Sequence, residues 1–136
     1  MHWTVGYLGK PWSPGANGPD AYDCWGLIRA VLKDRGGIDI PAAPVARERD
    51  SLRAVLTAFR DSPLYQLWRP VDRPEALDVA LMAEGRHPVH VGVWVPEGRG
   101  RVLHATQGMG VVCMDLPTLE FNGFRVLGWY RHADRF

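Results

Sequence analysis

From Asp78 onward the apolar pattern of this chain changes period, and that change limits the folds open to it. Before it, Cys24, Leu27, Ile28, Val31 and Leu32 recur at helical spacing, and a second helical pattern runs through Leu52, Val55, Leu56 and Phe59 near residues 48–60, ended by Ser62-Pro63. After it come short strand-like runs at Asp78–Ala83, Val89–Val95, Arg101–Thr106, Val111–Asp115 and Arg125–Arg131, with turn residues between them. Helices first and strands afterwards predict an α+β fold, with N-terminal helices packed on an antiparallel sheet. The length of 136 residues suits a single domain spanning 1–136.

Composition narrows the function. A net charge of +1, with arginines scattered and no polybasic run, gives no reason to expect a nucleic-acid partner. No apolar run is long enough to span a bilayer, and the first residues lack the basic and apolar regions of a signal peptide. Synthesis in the cytoplasm is therefore expected, and action outside a cell would need another carrier. Two cysteines, Cys24 and Cys113, are too few for a disulfide framework or a standard structural zinc site. A bridge between them would consume the candidate nucleophile.

That candidate is Cys24. Arg29, Lys33, Asp34 and Arg35 occupy the face of its helix opposite the apolar stripe, Gly36-Gly37 supplies the stop, and Asp23 is placed to cap the start. A thiol in a first helical turn lies at the positive end of the macrodipole beside unpaired N–H groups. Both features favour the thiolate, and the same donors can hold an oxyanion. The ordinary role of a lone cysteine is packing, so the assignment depends on its companions. Upstream, residues 9–20 form a Gly/Pro-rich loop leading into the helix.

Two histidines complete the set. Pro96-Glu97-Gly98-Arg99-Gly100 reads as a five-residue hairpin loop, and pairing Val95 with Arg101 sets Gly92 opposite His104 and His90 opposite Thr106. His90 and His104 then share one face as diagonal neighbours, roughly 7–8 Å apart at the backbone. A slip of one residue would put them on opposite faces. A cysteine peptidase needs a thiolate, a base to take its proton and a group to orient that base. Cys24, His90 and His104 have the right chemistry for those roles. His87, His2 and His132 are assigned none, Cys113 reads as a packed thiol, and Asp78 as a buried hydrogen-bonding or turn residue. Trp12 and Trp25 flank the cysteine and are candidate groove walls that bind substrate. A zinc site from Cys24, His90, His104 and Cys113 is the competing use of these residues.

In Asp23-Cys24-Trp25-Gly26-Leu27, His90-Val91-Gly92-Val93-Trp94-Val95 and Leu103-His104-Ala105, in that order, the chain resembles the NlpC/P60 cysteine peptidases. The likeness extends to Leu8-Gly9-Lys10-Pro11-Trp12, Leu77-Asp78-Val79-Ala80-Leu81 and Gly128-Trp129-Tyr130-Arg131, and so covers nearly the whole sequence. It implies a papain-like fold, no cofactor or metal, and peptidoglycan stem peptide as substrate, typically cut between D-γ-glutamate and a diamino acid. Cys-Trp-Gly-Leu, Gly18-Pro19-Asp20 and Gly37-Ile38-Asp39-Ile40-Pro41 resemble the phage-tail and gene-transfer-agent branch. That branch implies tail-tip or hub partners and wall opening by a virion or phage-like particle. The alternatives are a structural tail-tip component with little or no activity, and a lipid-acyl-processing relative. Relatives of the latter kind carry histidine before cysteine, the reverse of the order here. Three positions depart from the family pattern: Trp25 replaces a small residue and implies a narrower groove, Trp12 replaces a tyrosine near the substrate, and Leu77 replaces the glycine before Asp78.

Overall fold

The computed structural model describes residues 2–40, 68–85 and 87–135. The helical pattern at 48–60 lies outside them. The chain forms α1 (Cys24–Gly36), then strands β1 (Trp68–Val71), β2 (Val79–Glu84), β3 (His87–Val95), β4 (Arg101–Thr106) and β5 (Gly110–Met114), then α2 (Leu116–Phe121) and β6 (Phe124–His132). The strands make one sheet in the order β1-β6-β2-β3-β4-β5, with every neighbouring pair antiparallel. This is the expected mixture of helix and antiparallel sheet. β1 and α2 were not expected. β1 carries Pro70, which the sheet accepts because this strand lies at its edge. α2 is under two turns long, too short for its apolar spacing to register. Its start signals are nevertheless present, with Asp115 capping the Thr118 N–H at 2.9 Å and a proline in the first turn.

α1 follows its pattern closely. Asp23 Oδ1 accepts from the Gly26 N–H at 2.6 Å, and Gly37 closes the helix in the left-handed conformation at φ 66°. Leu27, Ile28, Val31 and Leu32 are completely buried, each contributing about 1.5–3 kcal/mol as an upper figure. They pack against Val79, Leu81, Val91, Val93, Val95, Leu103 and Ala105, which line one face of the sheet. The opposite face has its own core of Ala80, Met82, Val102, Met114, Phe124 and Leu119 from α2. Strand alternation thus divides β3, with Val91, Val93 and Val95 under α1 and His90, Gly92 and Trp94 on the far face.

The hairpin has the expected register, pairing Val95 with Arg101, Trp94 with Val102 and Val93 with Leu103. Asp78, fully buried, anchors the start of β2. Its carboxylate accepts from Arg131 Nε at 2.9 Å, from Arg131 Nη2 at 2.8 Å and from the Glu75 N–H at 2.7 Å. This bidentate pair ties β2 to β6. Just before it, Leu77 sits at φ 70°, a conformation that is strained for a branched side chain. Its side chain is buried in the first core, and that burial offsets the strain.

The offset yields a prediction. Leu77→Ala and Leu77→Gly both lose the buried side chain, but only glycine relieves the backbone. Leu77→Gly should therefore be the more stable of the two by about 1 kcal/mol in urea unfolding, reversing the usual order. Equal stability, or a more stable alanine variant, would show that position 77 carries no strain.

Candidate active site

The approach to α1 is built by the loop before it. The Asp23 N–H donates to the Ala16 carbonyl at 3.0 Å, and Asp23 Oδ2 accepts from the Gly15 N–H at 2.8 Å. Gly26 makes this possible, because a side chain there would run into the Ala16 carbonyl. Loop and first turn therefore lock together around Cys24.

Backbone donors of Val91 on β3, of Trp25 and of Cys24 itself act to lower the Cys24 thiol. Those donors favour a thiolate, as expected for a helix start. Burial, joined by the negative charge of Asp23, works against them and pushes the thiol up to about 11. The resting group is a thiol, because desolvation outweighs the helix end.

His90 and His104 meet as the register requires. His90 Nε2 lies 2.8 Å from His104 Nδ1, with the two rings nearly perpendicular at 81°. Gly92 leaves the space for this, since a side chain there would crowd Val102 and come within 3.1 Å of His104 Cβ. His104 is fully buried and His90 is 6% exposed. Burial, reinforced by the neighbouring ring of His104, lowers His90 to about 3, and burial alone lowers His104 to about 4. Both rings are neutral at pH 7.

The tautomer has a mechanistic consequence. For His90 to accept a proton at Nδ1, its Nε2–H must donate to His104 Nδ1, which leaves the His104 proton on Nε2. That atom is buried and has no hydrogen-bond partner among the described residues.

The pair stands on the far face of the sheet from α1, where Phe124 at the start of β6 contacts both rings at 5.0 and 4.8 Å. Nothing in the sequence spacing points to Phe124. Cys24 packs at the edge of the other core, under α1. The backbone of Val91, next to His90 on β3, is among the groups that act to lower the Cys24 thiol. Among the described residues no hydrogen bond joins Sγ to the His90 ring. Trp12 is half-buried beside the first core and bridges to Tyr22. Trp25 turns into that core, 9% exposed, with its ring 6.4 Å from that of Trp68. Its bulk fills the interior, and only its rim is left to narrow a groove. Cys113 is a free, half-buried thiol on β5, and Cys24 is also free. No helix among the described residues is long and apolar enough to cross a membrane.

Residues 9–123 match the NlpC/P60 family, and the chain belongs to it. Members of that family are in general cell-wall cysteine peptidases. The fold is similar to the crystal structure of a protein described as similar to lipoprotein, NLP/P60 family, from Staphylococcus aureus subsp. aureus Mu50. The TM-score is 0.57 at 20% identity, covering 95% of this chain and 38% of that one. The chain therefore spans well under half the length of that relative. None of the curated proteins matches it.

The neutral histidine pair makes stability sensitive to acid. In the unfolded chain each imidazole protonates near pH 6.5, whereas the folded rings resist until about 3 and 4. Below pH 6.5 the unfolded state binds more protons, so stability falls as pH falls toward 4. The expected loss at pH 5 is about 2 kcal/mol per histidine. Urea midpoints should be clearly lower at pH 5 than at pH 7, and His104→Leu should shrink the difference. Equal midpoints in the wild type would show that the rings protonate in place.

Proposed function

We propose that this protein is a peptidoglycan-degrading cysteine endopeptidase, with Cys24 as nucleophile, His90 as its base and His104 as the group orienting His90. One observation carries the reading: a cysteine starts the helix packed on the sheet, and His90 on β3 of that sheet has its Nε2 hydrogen-bonded to a second, buried histidine. In the reaction the Cys24 proton passes to His90 Nδ1 and the sulfur attacks the carbonyl carbon of the scissile amide. First-turn N–H groups receive the oxyanion. The His90 imidazolium then protonates the leaving amine, and water hydrolyses the thioester with His90 as base. Because the resting thiol and imidazoles are neutral, proton transfer from sulfur to His90 accompanies attack on the substrate carbonyl, and the negative charge passes to the oxyanion.

The substrate we assign is the stem peptide of peptidoglycan, cut at the D-γ-glutamyl–diamino acid bond, with Trp12 and the rim of Trp25 as walls of the groove. The setting we assign is the cell wall, reached as part of a phage or phage-like tail in contact with tail-tip or hub proteins. Both finer assignments rest on the sequence resemblance around Cys24, Gly18-Pro19-Asp20 and Gly37–Pro41. A second reading, a structural tail-tip component with little or no catalysis, draws on the un-ionised resting site.

Digestion of defined muropeptides, with mass spectrometry of the products, separates the two and identifies the bond. Cys24→Ala should lower turnover on the order of 10³-fold or more and leave the fold intact. His90→Ala should be nearly as severe, and His104→Ala milder, about 10- to 100-fold. Near-wild-type turnover by Cys24→Ala would sink the peptidase assignment.

Thiol alkylation should abolish hydrolysis and EDTA should leave it unchanged, since every group in the proposed cycle is a side chain or a backbone donor. Loss in EDTA with recovery on added zinc would transfer Cys24, His90 and His104 to a metal site.

A further inference from the structure

Phe124 closes over both imidazoles, and the three rings form an almost equilateral group. The ring centroids of His90 and His104 lie 5.0 Å apart, those of His90 and Phe124 5.0 Å, and those of His104 and Phe124 4.8 Å. Phe124 is tilted by only 35° from His90, whereas His104 stands at 81° to each of the other two. A small tilt at this separation is offset stacking, so Phe124 turns its face toward His90. The fold fixes that direction. Gly123, at φ 87°, turns the chain from α2 into β6 and sets Phe124 opposite Glu84 at the end of β2. Phe124 is itself buried in the second core, and its neighbours there hold the ring in place.

His90 is the group that has to become charged. It is buried, so water contributes little to solvating a cation on this ring. Among the described residues no carboxylate hydrogen-bonds to either imidazole, and the partner of His90 is the neutral ring of His104. The face of an aromatic ring attracts a cation held within about 6 Å of its centroid, most strongly where water is excluded.

Resting on the peptidase reading above, we infer that Phe124 is a positioning residue for the proton transfer. Its ring face steadies the His90 imidazolium, in place of the carboxylate that serves this purpose in a Ser-His-Asp triad.

The charge on His90 is transient, and this gives the contact its effect on rate. As Cys24 attacks, the S–H bond breaks, the proton forms an N–H bond at His90 Nδ1, and the sulfur electron pair forms the bond to carbon. The imidazolium lasts until that proton passes to the leaving amine. The ring stacked on Phe124 is neutral before this interval and neutral after it. An interaction that is stronger only while the charge exists lowers the barrier instead of tightening substrate binding. Packing in a core with Met82 and Leu119 is the ordinary role of such a side chain, and packing does not depend on the electron density of the ring.

The test changes that density and keeps the shape. In the full chain, residue 124 is replaced in turn by phenylalanines carrying one, two and three ring fluorines, each holding a cation less well than the last. The kcat on a defined muropeptide should fall stepwise, by about 10-fold across the series, with KM little changed. Alkylation of Cys24 by iodoacetamide at pH 7 needs the same proton transfer and should slow in the same order. Urea midpoints should show no such trend. Should the most fluorinated chain fail to fold, the other two members still give the slope. Flat kcat and flat alkylation rates across folded variants would overturn the proposal and return Phe124 to packing alone. A decline in kcat that only tracks lost stability would do the same. Hydrolysis that survives Cys24→Ala defeats the peptidase reading instead, and the alkylation series then still decides the role of Phe124.

Discussion

The register and the alternation of β3 are the constraint on which the rest depends. One strand has to do two jobs with side chains that point in opposite directions. Val91, Val93 and Val95 form the floor on which α1 packs, and without that floor the helix start has no fixed position. His90 and Gly92 belong to the other face, where the second histidine and Phe124 complete an aromatic enclosure. A shift of one residue in the β3–β4 pairing would exchange these sets and dismantle core and site together.

The electrostatics follow from where that constraint puts the groups. Backbone donors favour the Cys24 thiolate, yet burial and the neighbouring Asp23 carboxylate leave it protonated. The same Asp23 is the cap that fixes the first turn, through a 2.6 Å bond to Gly26. The residue that positions the nucleophile thus also opposes its ionisation. The histidines are subject to the same effect, burial holding both neutral. On the proposed peptidase reading the resting groups are neutral, and a bound acyl group supplies the incentive for charge separation.

Away from the site, Asp78 and Arg131 show how a buried carboxylate is retained. Its oxygens accept two guanidinium bonds and one backbone bond, and that satisfaction makes a fully buried aspartate tolerable at the strand start. Leu77 beside it holds a backbone conformation suited to glycine. The departure alters a turn at the far end of β2 from the histidines' partners. It trades local strain for apolar contact without reaching the site.

Several features were legible in the residues themselves. They include α1 with its Asp23 cap and Gly37 stop, the run of strands from β2 to β6, the Val95–Arg101 register and the shared face of His90 and His104. Helical period, strand alternation and hairpin loop length are properties of neighbouring residues, and a single chain displays them directly. The direction of Trp25, the contact of Phe124 with both imidazoles, the edge strand carrying Pro70 and the protonated state of Cys24 were decided only by the tertiary structure. So was the face of the sheet that α1 covers. Each of these depends on segments far apart in sequence. Desolvation in particular is a sum over everything packed around a group, and a one-dimensional pattern carries no record of that sum.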